Sequence, residues 1–347
     1  MGNVFSSYGY SFSQIFSMGS LTSRTGDDLE DGRRILVLGG FTRDSLTSVQ
    51  KYVGVQKHIE RYKNVALWQS CADSKVPIFK AAVATNNTHV FVVDGNKCFD
   101  KRVVGIIQVY DIKNDCWSVI KDILQTPREN ATATVVNGKL YVFGGYSRKS
   151  GYLSSVEVFT IVDGCCLEPC KDHGVPDLRE ERSEHASVTV GNVVYILGGF
   201  NCGTFPENGK YLSSCESVDV STGVSEQLPP LNQARAYLTA DIYEQNIIAI
   251  GGHNDEIDIF GGRLSERYNY LDSVETYSFA TNQWTVMRAR MLMAAHQHCS
   301  VVYNNKIFVI DDTSIEVYDG KQWKYYGSFS DSLPGGRDYA KAIVIPS

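Results

Sequence analysis

The sequence lacks several features that would place it in a membrane, fibrous or nucleic-acid-binding class. Its 347 residues contain no apolar run of the length, about 18 residues, that a transmembrane helix needs. Proline is scarce at 9 residues while 43% of the residues are hydrophobic, which excludes collagen-like and low-complexity disordered chains. Acidic residues outnumber basic ones by 39 to 33 and no Lys/Arg run occurs, so nucleic acid is not expected as the main partner.

Cysteine usage argues against a disulfide-built protein. The chain has 9 cysteines, an odd number, spread over a long sequence. Small secreted disulfide scaffolds are short and contain even numbers of cysteines. The N-terminus also lacks a basic stretch followed by an apolar core, so no secretory signal is expected. A reducing, cytoplasmic compartment is therefore the expected location.

The first residues suggest a lipid anchor. Met1 to Ser6 fit the pattern M-G-x-x-x-[ST], which predicts N-myristoylation of Gly2. A single myristoyl chain binds membranes weakly and reversibly, with a constant on the order of 10⁴ M⁻¹, and neither a polybasic patch nor a nearby cysteine adds a second anchor. We expect weak, reversible peripheral membrane contact. Residues 1–33 show no helical or strand periodicity, so they are predicted to form a flexible tail.

After this tail the sequence repeats itself six times. Six short runs of β-branched and aromatic residues end in a pair of small or acidic residues, at 34–40, 89–95, 139–145, 193–199, 246–252 and 306–312. They recur about every 50 to 60 residues, the spacing of blades in a β-propeller. Near-continuous apolar runs are typical of strands buried on both faces, and paired glycines indicate close backbone approach with positive φ. We number the blades one to six in the order of these runs.

Other residues recur in step with the runs. All four tryptophans follow a tyrosine by five to seven residues, in the pairs Tyr62 and Trp68, Tyr110 and Trp117, Tyr277 and Trp284, and Tyr318 and Trp323. The pattern predicts a tyrosine on the third strand of a blade and a tryptophan opening the fourth, with both rings filling the gap between blades. Arg128, Arg182 and Arg235 each stand at the same distance ahead of a glycine pair.

These features resemble the kelch repeat over nearly all of residues 34–347. The resemblance implies an all-β, six-bladed kelch β-propeller as one domain, preceded by the tail at residues 1–33. Arg337 to Ile345 look like a first strand and the run at Arg34 lacks one, so the C-terminal strand is expected to complete blade one and close the ring. Cys166 and Ser225 replace tryptophan in blades three and four, and acidic residues interrupt the glycine pairs of blades two and six.

No set of residues predicts catalysis. His296 and His298 could begin a metal site, but His298 and His185 occupy the same repeat position, which favours a structural role. Cys165, Cys166, Cys170 and His173 match no strong zinc spacing. We therefore expect no enzyme, no cofactor and no metal. A propeller enzyme with an axial metal or acid/base site is the alternative.

The loops between second and third strands, together with the entrances to the first strands, should emerge on one face of the propeller. The longest of these loops, 253–270, contains Ile257 and Phe260, which either face a partner or fold back onto their own blade. A rim set stands two residues after each arginine position: Lys80, Asn130, Glu184, Tyr237, Gln297 and Tyr339. This mixed set with two tyrosines suits a peptide-reading surface. In kelch domains that read acidic degrons, arginines occupy several such rim positions, so the resemblance implies that an acidic or phosphorylated peptide is disfavoured here.

The expected function is a non-enzymatic protein-interaction module that binds partner proteins through this face. The family resemblance implies cytoskeletal partners or ubiquitin-ligase components. Because the sequence shows no adaptor domain, a ligase would have to recruit it in trans. A purely structural, membrane-associated scaffold is a further alternative.

Overall fold

The computed structural model describes residues 15–18, 34–38, 68–72, 74–76, 78, 80–94, 105–202, 209–254, 269–295, 297–311, 314–327 and 341–345. All regular elements within these ranges are β-strands, as the sequence predicted. The described part of the chain contains no helix long and apolar enough to cross a membrane.

The strands fall into groups that follow the repeats. The first group is β1 (Ile15–Met18), β2 (Arg34–Leu38) and β3 (Trp68–Ser70). Blade two contains β4 (Ala82–Thr85), β5 (His89–Asp94), β6 (Ile106–Asp111) and β7 (Cys116–Ile120). Blade three contains β8 (Thr132–Val136), β9 (Lys139–Phe143), the short β10 (Tyr146–Ser147) and β11 (Gly151–Tyr152), then β12 (Val156–Val162) and β13 (Cys166–Pro169).

The remaining blades repeat the same plan. Blade four contains β14 (Ala186–Val190), β15 (Val193–Leu197), β16 (Phe200–Asn201), β17 (Lys210–Tyr211), β18 (Cys215–Asp219) and β19 (Val224–Leu228). Blade five contains β20 (Thr239–Tyr243), β21 (Asn246–Ile250), β22 (His253–Asn254), β23 (Asn269–Tyr270), β24 (Val274–Ser278) and β25 (Gln283–Val286). Blade six contains β26 (Cys299–Tyr303), β27 (Lys306–Ile310), β28 (Ile315–Tyr318) and β29 (Trp323–Gly327), and the last strand is β30 (Lys341–Ile345).

Blades two to six are five regular blades, each a four-stranded antiparallel sheet of its own consecutive long strands. The apolar second strands are buried on both faces, as residues that point to opposite faces show with exposures of 0%: Val90 and Phe91 in blade two, and Leu140 and Phe143 in blade three. One hydrophobic cluster combines Phe91 of blade two with Leu140 and Phe159 of blade three. Burial between blades explains why these strands read as continuous apolar runs instead of alternating patterns.

The sheet that contains the first run departs from the prediction. Its strand order is β3-β1-β2-β30, so its third strand is Ile15–Met18, from the segment predicted to be a flexible tail. We call it the composite sheet. The structure therefore gives five blades of consecutive strands where six were predicted. Which segment pairs beside β2 depends on the contacts available in the fold, and a four-residue strand is too short to show its periodicity in the sequence.

The C-terminal strand lies in the composite sheet. β30 pairs antiparallel with β2, from Arg34 opposite Ile345 to Leu38 opposite Lys341. β30 also contacts the innermost strands of the blades on both sides, β26 and β4. Apart from Ile15–Met18, residues 1–33 lie outside the described residues, so the predicted domain boundary stays a prediction.

The glycine pairs mark places where two backbones come close, as predicted. Gly144 has a φ of +56°, and a Cβ added there would lie 2.7 Å from the carbonyl oxygen of Arg182 in the next blade. A Cβ on Gly252, with a φ of +91°, would lie 2.5 Å from the carbonyl oxygen of Ala236. Only glycine combines this conformation with this proximity at little cost.

The tyrosine and tryptophan pairs lie where the repeat predicted them. Tyr110 on β6 faces Trp117 on β7 with ring centroids 5.0 Å apart. The Trp117 indole donates a hydrogen bond of 2.9 Å to the carbonyl of Ala72, and its ring packs with Leu36 and Leu38 of the composite sheet. Tyr277 with Trp284 and Tyr318 with Trp323 repeat the pairing. Tyr62 lies outside the described residues.

Candidate protein-binding face

Three buried arginines fix the entrance of blades three, four and five. Arg235 donates from Nη1 to the carbonyl oxygens of Gly251, at 3.0 Å, and Ser273, at 3.2 Å. Its Nη2 donates to Ser273 Oγ at 3.1 Å and to Glu275 Oε1 at 2.7 Å. Arg182 and Arg128 make the same four kinds of contact one and two blades earlier, respectively. These arginines are 0–1% exposed, so they anchor the loop that carries the rim residues instead of meeting a ligand themselves.

The structure brings five of the six predicted rim residues together, and we call them the axial ring: Lys80, Asn130, Glu184, Tyr237 and Gln297. All five have left-handed backbones, with φ between +53° and +58°. The Asn130 amide donates to the Lys80 carbonyl at 2.9 Å, the Glu184 amide to that of Asn130 at 3.0 Å, and the Tyr237 amide to that of Glu184 at 2.9 Å. The entrances of blades two to five are thus hydrogen-bonded one to the next, and Gln297 of blade six shares their backbone conformation. The bonds stabilise a conformation that ordinary residues rarely adopt.

Side chains of the axial ring converge on Glu184. Tyr237 donates its hydroxyl to Glu184 Oε1 at 2.5 Å, and Asn130 Nδ2 donates to the same oxygen at 3.1 Å. Burial raises the pKa of the Glu184 carboxyl, while the Tyr237 hydrogen bond and the charge of Lys80 act in the opposite direction. The result is a half-buried carboxyl group that donors from two neighbouring blades hold in place.

Beside the axial ring, each of blades three, four and five carries a two-stranded ribbon in its loop between second and third long strands. The ribbons are β10–β11, β16–β17 and β22–β23. Isolated bridges join them to the arginine loops, Glu129 to Tyr146, Ser183 to Phe200 and Ala236 to His253. Because the ribbons are tied to these loops, their side chains are held on the same face as the axial ring.

The ribbons place aromatic rings side by side across three blades. We call the series the aromatic belt, and its members are Tyr146, Tyr152, Phe200, Tyr211, His253 and Tyr270. Successive centroids lie 5.1 Å, 5.7 Å, 5.1 Å, 5.3 Å and 6.0 Å apart in that order. Most members are half-buried, and Tyr270 is 41% exposed. The belt was missed in the sequence, although Tyr152, Tyr211 and Tyr270 recur there at the same repeat position.

The axial ring and the aromatic belt form one surface. The Tyr237 ring stacks on His253 with centroids 5.0 Å apart and planes 18° apart. Burial, and after it the negative charge of Glu184, raises the pKa of Tyr152 in the aromatic belt to about 12. We call the combined surface the ring-and-belt face. It presents aromatic rings around one acidic group, all on backbone that is rigidly hydrogen-bonded.

Sequence comparison assigns the family. The model described as the KLHDC2/KLHL20/DRC7 Kelch-repeats domain matches residues 29–252 and 79–310, which together are most of the chain. The chain belongs to the kelch-repeat family.

Several kelch proteins resemble it at modest identity. Kelch-like protein 23 of Mus musculus is 26% identical over 223 residues, which are 62% of this chain and 35% of that protein. Kelch-like protein 26 of Danio rerio is 27% identical over 233 residues, 66% of this chain and 35% of that protein. The Kelch repeat protein M-T8 of Myxoma virus (strain Lausanne) is 23% identical over 295 residues, 84% of this chain and 50% of that protein. The chain thus spans about a third of the length of the first two relatives.

The two histidines of this kelch propeller at the shared repeat position bond to neighbouring blades. His185 Nε2 lies 2.9 Å from Thr132 Oγ1, and His298 Nε2 lies 3.0 Å from Thr239 Oγ1. Burial holds the pKa of His185 well below its usual value, so it is neutral near pH 7. Both contacts link inner strands, which is the structural role that the repeat position favoured. His296 lies outside the described residues.

The cysteine cluster shows no metal geometry in the part of the kelch propeller that the structure describes. Cys165 and Cys166 have sulfur atoms 3.9 Å apart and both are free thiols. No group of three or more His, Cys, Asp or Glu side chains among the described residues is arranged to hold a metal ion. Cys166 occupies the repeat position of tryptophan and is exposed at the start of β13.

Four of the predicted site residues are not described. Gly2, Ile257, Phe260 and Tyr339 lie outside the described residues, so their predicted roles stay predictions. Tyr339 stands in the repeat position of the sixth axial-ring member. The two ends of the loop 253–270 are described, and they form the ribbon β22–β23 of the aromatic belt.

Proposed function

We propose that this kelch propeller is a non-enzymatic module that binds partner proteins through the ring-and-belt face. The observation that carries the proposal is the continuous row of half-buried aromatic rings that meets the axial carboxyl of Glu184. Aromatic side chains provide large contact areas at little conformational cost and are enriched in protein interfaces. A connector loop needs no such row of rings across three blades.

The rigidity of the face supports the same function. The axial ring is fixed by backbone hydrogen bonds between blades, and the ribbons by bridges to the arginine loops. A preformed surface loses little conformational freedom when a partner binds. Among the described residues no group of three or more His, Cys, Asp or Glu side chains is arranged to hold a metal ion, so the alternative of an axial metal enzyme has no specific support there.

Affinity capture with a matched pair of variants tests the proposal. Tyr270→Ala removes an exposed ring of the aromatic belt, and Tyr325→Ala removes a tyrosine that is 58% exposed on β29, the outermost strand of blade six. We expect partners captured from native cells by the wild type to be lost with Tyr270→Ala and kept with Tyr325→Ala. Partners retained by both variants would place binding elsewhere. Ubiquitin-ligase components among the lost partners would favour recruitment to a ligase in trans.

We further propose that the C-terminal strand closes the ring through the composite sheet. The pairing of β30 with β2 and its contacts with β26 and β4 support this arrangement. Closure would give β2 an inner partner strand and place the composite sheet between blades six and two.

Membrane contact through Gly2 is a separate proposal, which rests on the sequence pattern. Mass spectrometry of the N-terminal peptide after expression with a myristoyltransferase tests it directly. A mass increase of one myristoyl group on the wild type and none on Gly2→Ala is the expected result. An unmodified wild-type peptide would remove the proposed lipid anchor.

A further inference from the structure

The carboxylate of Glu184 is oriented by its neighbours before any partner arrives. Both hydrogen bonds that the described residues make to it, from Tyr237 and from Asn130, end on Oε1. Oε2 receives no hydrogen bond from the described residues. Two donors on one oxygen fix the plane of the group and leave the second oxygen as an acceptor in a defined direction.

The surrounding charges favour a cation over an anion. Among the described members of the axial ring only Lys80 and Glu184 carry charge, and Glu129 adjoins the ring beside Asn130. The negative charge of Glu129 raises the pKa of Glu184, so the two carboxylates repel one another. Lys80 offsets one of these negative charges and lowers the pKa of Glu184, so the two carboxylates and one ammonium group leave an excess of one negative charge, which disfavours an anionic ligand. A cation would be attracted by both carboxylates.

The aromatic belt defines the shape of the cation. Tyr237 lies flat on His253, so a planar aromatic surface stands directly beside the carboxylate that Tyr237 orients. Guanidinium groups combine hydrogen bonds to a carboxylate with stacking on an aromatic ring, because they are planar and weakly hydrated. An ammonium group could also bond to Oε2, but it is not planar and cannot stack on the ring at the same time.

We propose that the partner inserts an arginine side chain at the axis, where its guanidinium bonds to Glu184 and stacks beside Tyr237 while flanking apolar residues pack on the aromatic belt. This inference rests on the proposed function, since it names the chemistry of the segment that the ring-and-belt face binds. It assigns binding specificity to Glu184 and contact area to the belt.

Selection from a phage-displayed library of random twelve-residue peptides tests the proposal with a defined probe. The full chain is the target, and enriched peptides are synthesised and measured by calorimetry against the wild type, Glu184→Gln, Tyr270→Ala and Tyr325→Ala. Glu184→Gln is the informative variant, because an amide oxygen still accepts from Tyr237 and Asn130 while the charge is gone. Each variant is first shown to melt cooperatively at the wild-type temperature.

We expect enriched peptides to share an arginine and to lose affinity with Tyr270→Ala but not with Tyr325→Ala. Replacing the peptide arginine by citrulline, which keeps the shape and removes the charge, should weaken binding to the wild type by at least about tenfold. The same replacement should have little effect on binding to Glu184→Gln. Non-additive effects of the two replacements would show that the peptide guanidinium contacts the Glu184 carboxylate.

The contrary results separate the two proposals. Peptides that need Tyr270 but share no arginine, share acidic residues instead, or bind Glu184→Gln as tightly as the wild type would overturn the arginine inference and leave the face as a binding site. No enriched peptide, or peptides indifferent to Tyr270→Ala, would overturn the proposed function and the inference with it.

Discussion

Arg235 and Glu275 form an ion pair inside blade five, with Nη2 and Oε1 2.7 Å apart and both side chains 0% exposed. The arginine also donates to the carbonyl oxygens of Gly251 and Ser273. The glutamate accepts the backbone amides of Asn232 and Gln233, in the loop that leads into the blade. One buried pair therefore joins the end of the second strand, the third strand and the entrance loop.

Removing this arginine should destabilise the propeller strongly. Arg235→Met leaves Glu275 as a buried charge without its partner, which costs about 3–5 kcal/mol of unfolding free energy in comparable cases. Arg290→Met is the matched control, since Arg290 pairs with Asp272 at 2.6 Å on the surface, where the side chains are 60% and 38% exposed. We expect a cost below about 1 kcal/mol there. If urea denaturation showed the same loss of unfolding free energy for Arg235→Met and Arg290→Met, the anchoring role of the buried arginine would be contradicted.

Blade six keeps the glutamate of this network without the arginine. Ala295 occupies the arginine position there. Its carbonyl accepts a hydrogen bond from the Gly252 amide, and the Arg235 carbonyl accepts the equivalent bond from the Gly199 amide. Glu316 still accepts the amides of Leu292 and Met293. Burial raises the pKa of the Glu316 carboxyl, because no arginine is present to favour its charged form.

This difference predicts a pH-dependent effect of Ala295→Arg. A carboxyl whose pKa is raised in the folded state holds a proton more tightly than in the unfolded chain, so it lowers stability as the pH rises through the folded pKa. An arginine beside Glu316 lowers that pKa and removes the effect. The stability of Ala295→Arg relative to the wild type should therefore increase from about pH 4 to pH 7.

Denaturation curves across that pH range measure the effect. Glu316→Gln removes the titrating group and provides the second variant, and its stability relative to the wild type should also increase with pH. If the unfolding free energies of the wild type and both variants changed with pH in parallel, the pKa of Glu316 would not be raised by folding.

The second glycine of each pair should tolerate no side chain. Gly252→Ala places a Cβ 2.5 Å from the Ala236 carbonyl oxygen at a φ of +91°, whereas Gly138, at a φ of +72°, has no neighbouring atom within 4 Å of such a Cβ. Both alanines bear the cost of the left-handed conformation, of order 1 kcal/mol, and Gly252→Ala adds the steric cost. We expect Gly252→Ala to be more destabilising by at least about 1 kcal/mol in thermal and chemical denaturation. Similar losses of stability for Gly252→Ala and Gly138→Ala would show that the backbone at Ala236 moves away from the new Cβ at little cost.

Closure through the C-terminal strand can be tested by truncation. Deleting residues 341–347 removes β30, the antiparallel partner of β2, and with it the contacts to β26 and β4. We expect loss of cooperative unfolding in calorimetry, because the inner strands of blades two and six would lose their neighbour. Deleting residues 346–347 alone, beyond the strand, is the control and should change little. A cooperative wild-type transition in the longer deletion would argue against a closed ring.

Much of the architecture followed from residues that recur in step. Gly144, Trp117 and Arg128 were placed correctly because each blade must solve the same packing problem with the same residue types. The axial ring was also found by counting from the arginine positions. Its left-handed backbone was not foreseen, since residues such as Lys80 and Tyr237 carry no local signal for a positive φ.

Other features depended on which segments meet in space. The strand Ile15–Met18 lies beside β2, where the sequence predicted a tail, because pairing partners are chosen by the whole fold and not by the short segment itself. The hydrogen bond of Tyr237 to Glu184 joins residues of different blades, and the aromatic belt joins three of them. The repeat positions were visible in the sequence, but the distances between blades were not.

The sequence by itself determined the repeating strands, the kelch family and the residues that stabilise each blade, because these depend on local patterns that recur about every 50 to 60 residues. Only the tertiary structure decided which of those residues face one another across blades. Glu184 already belonged to the rim set found in the sequence, but only the ring arrangement brings Tyr237, Asn130 and the aromatic belt around its carboxyl. That convergence arises from rotation of successive blades about a common axis, a relation between distant parts of the chain that no local pattern encodes.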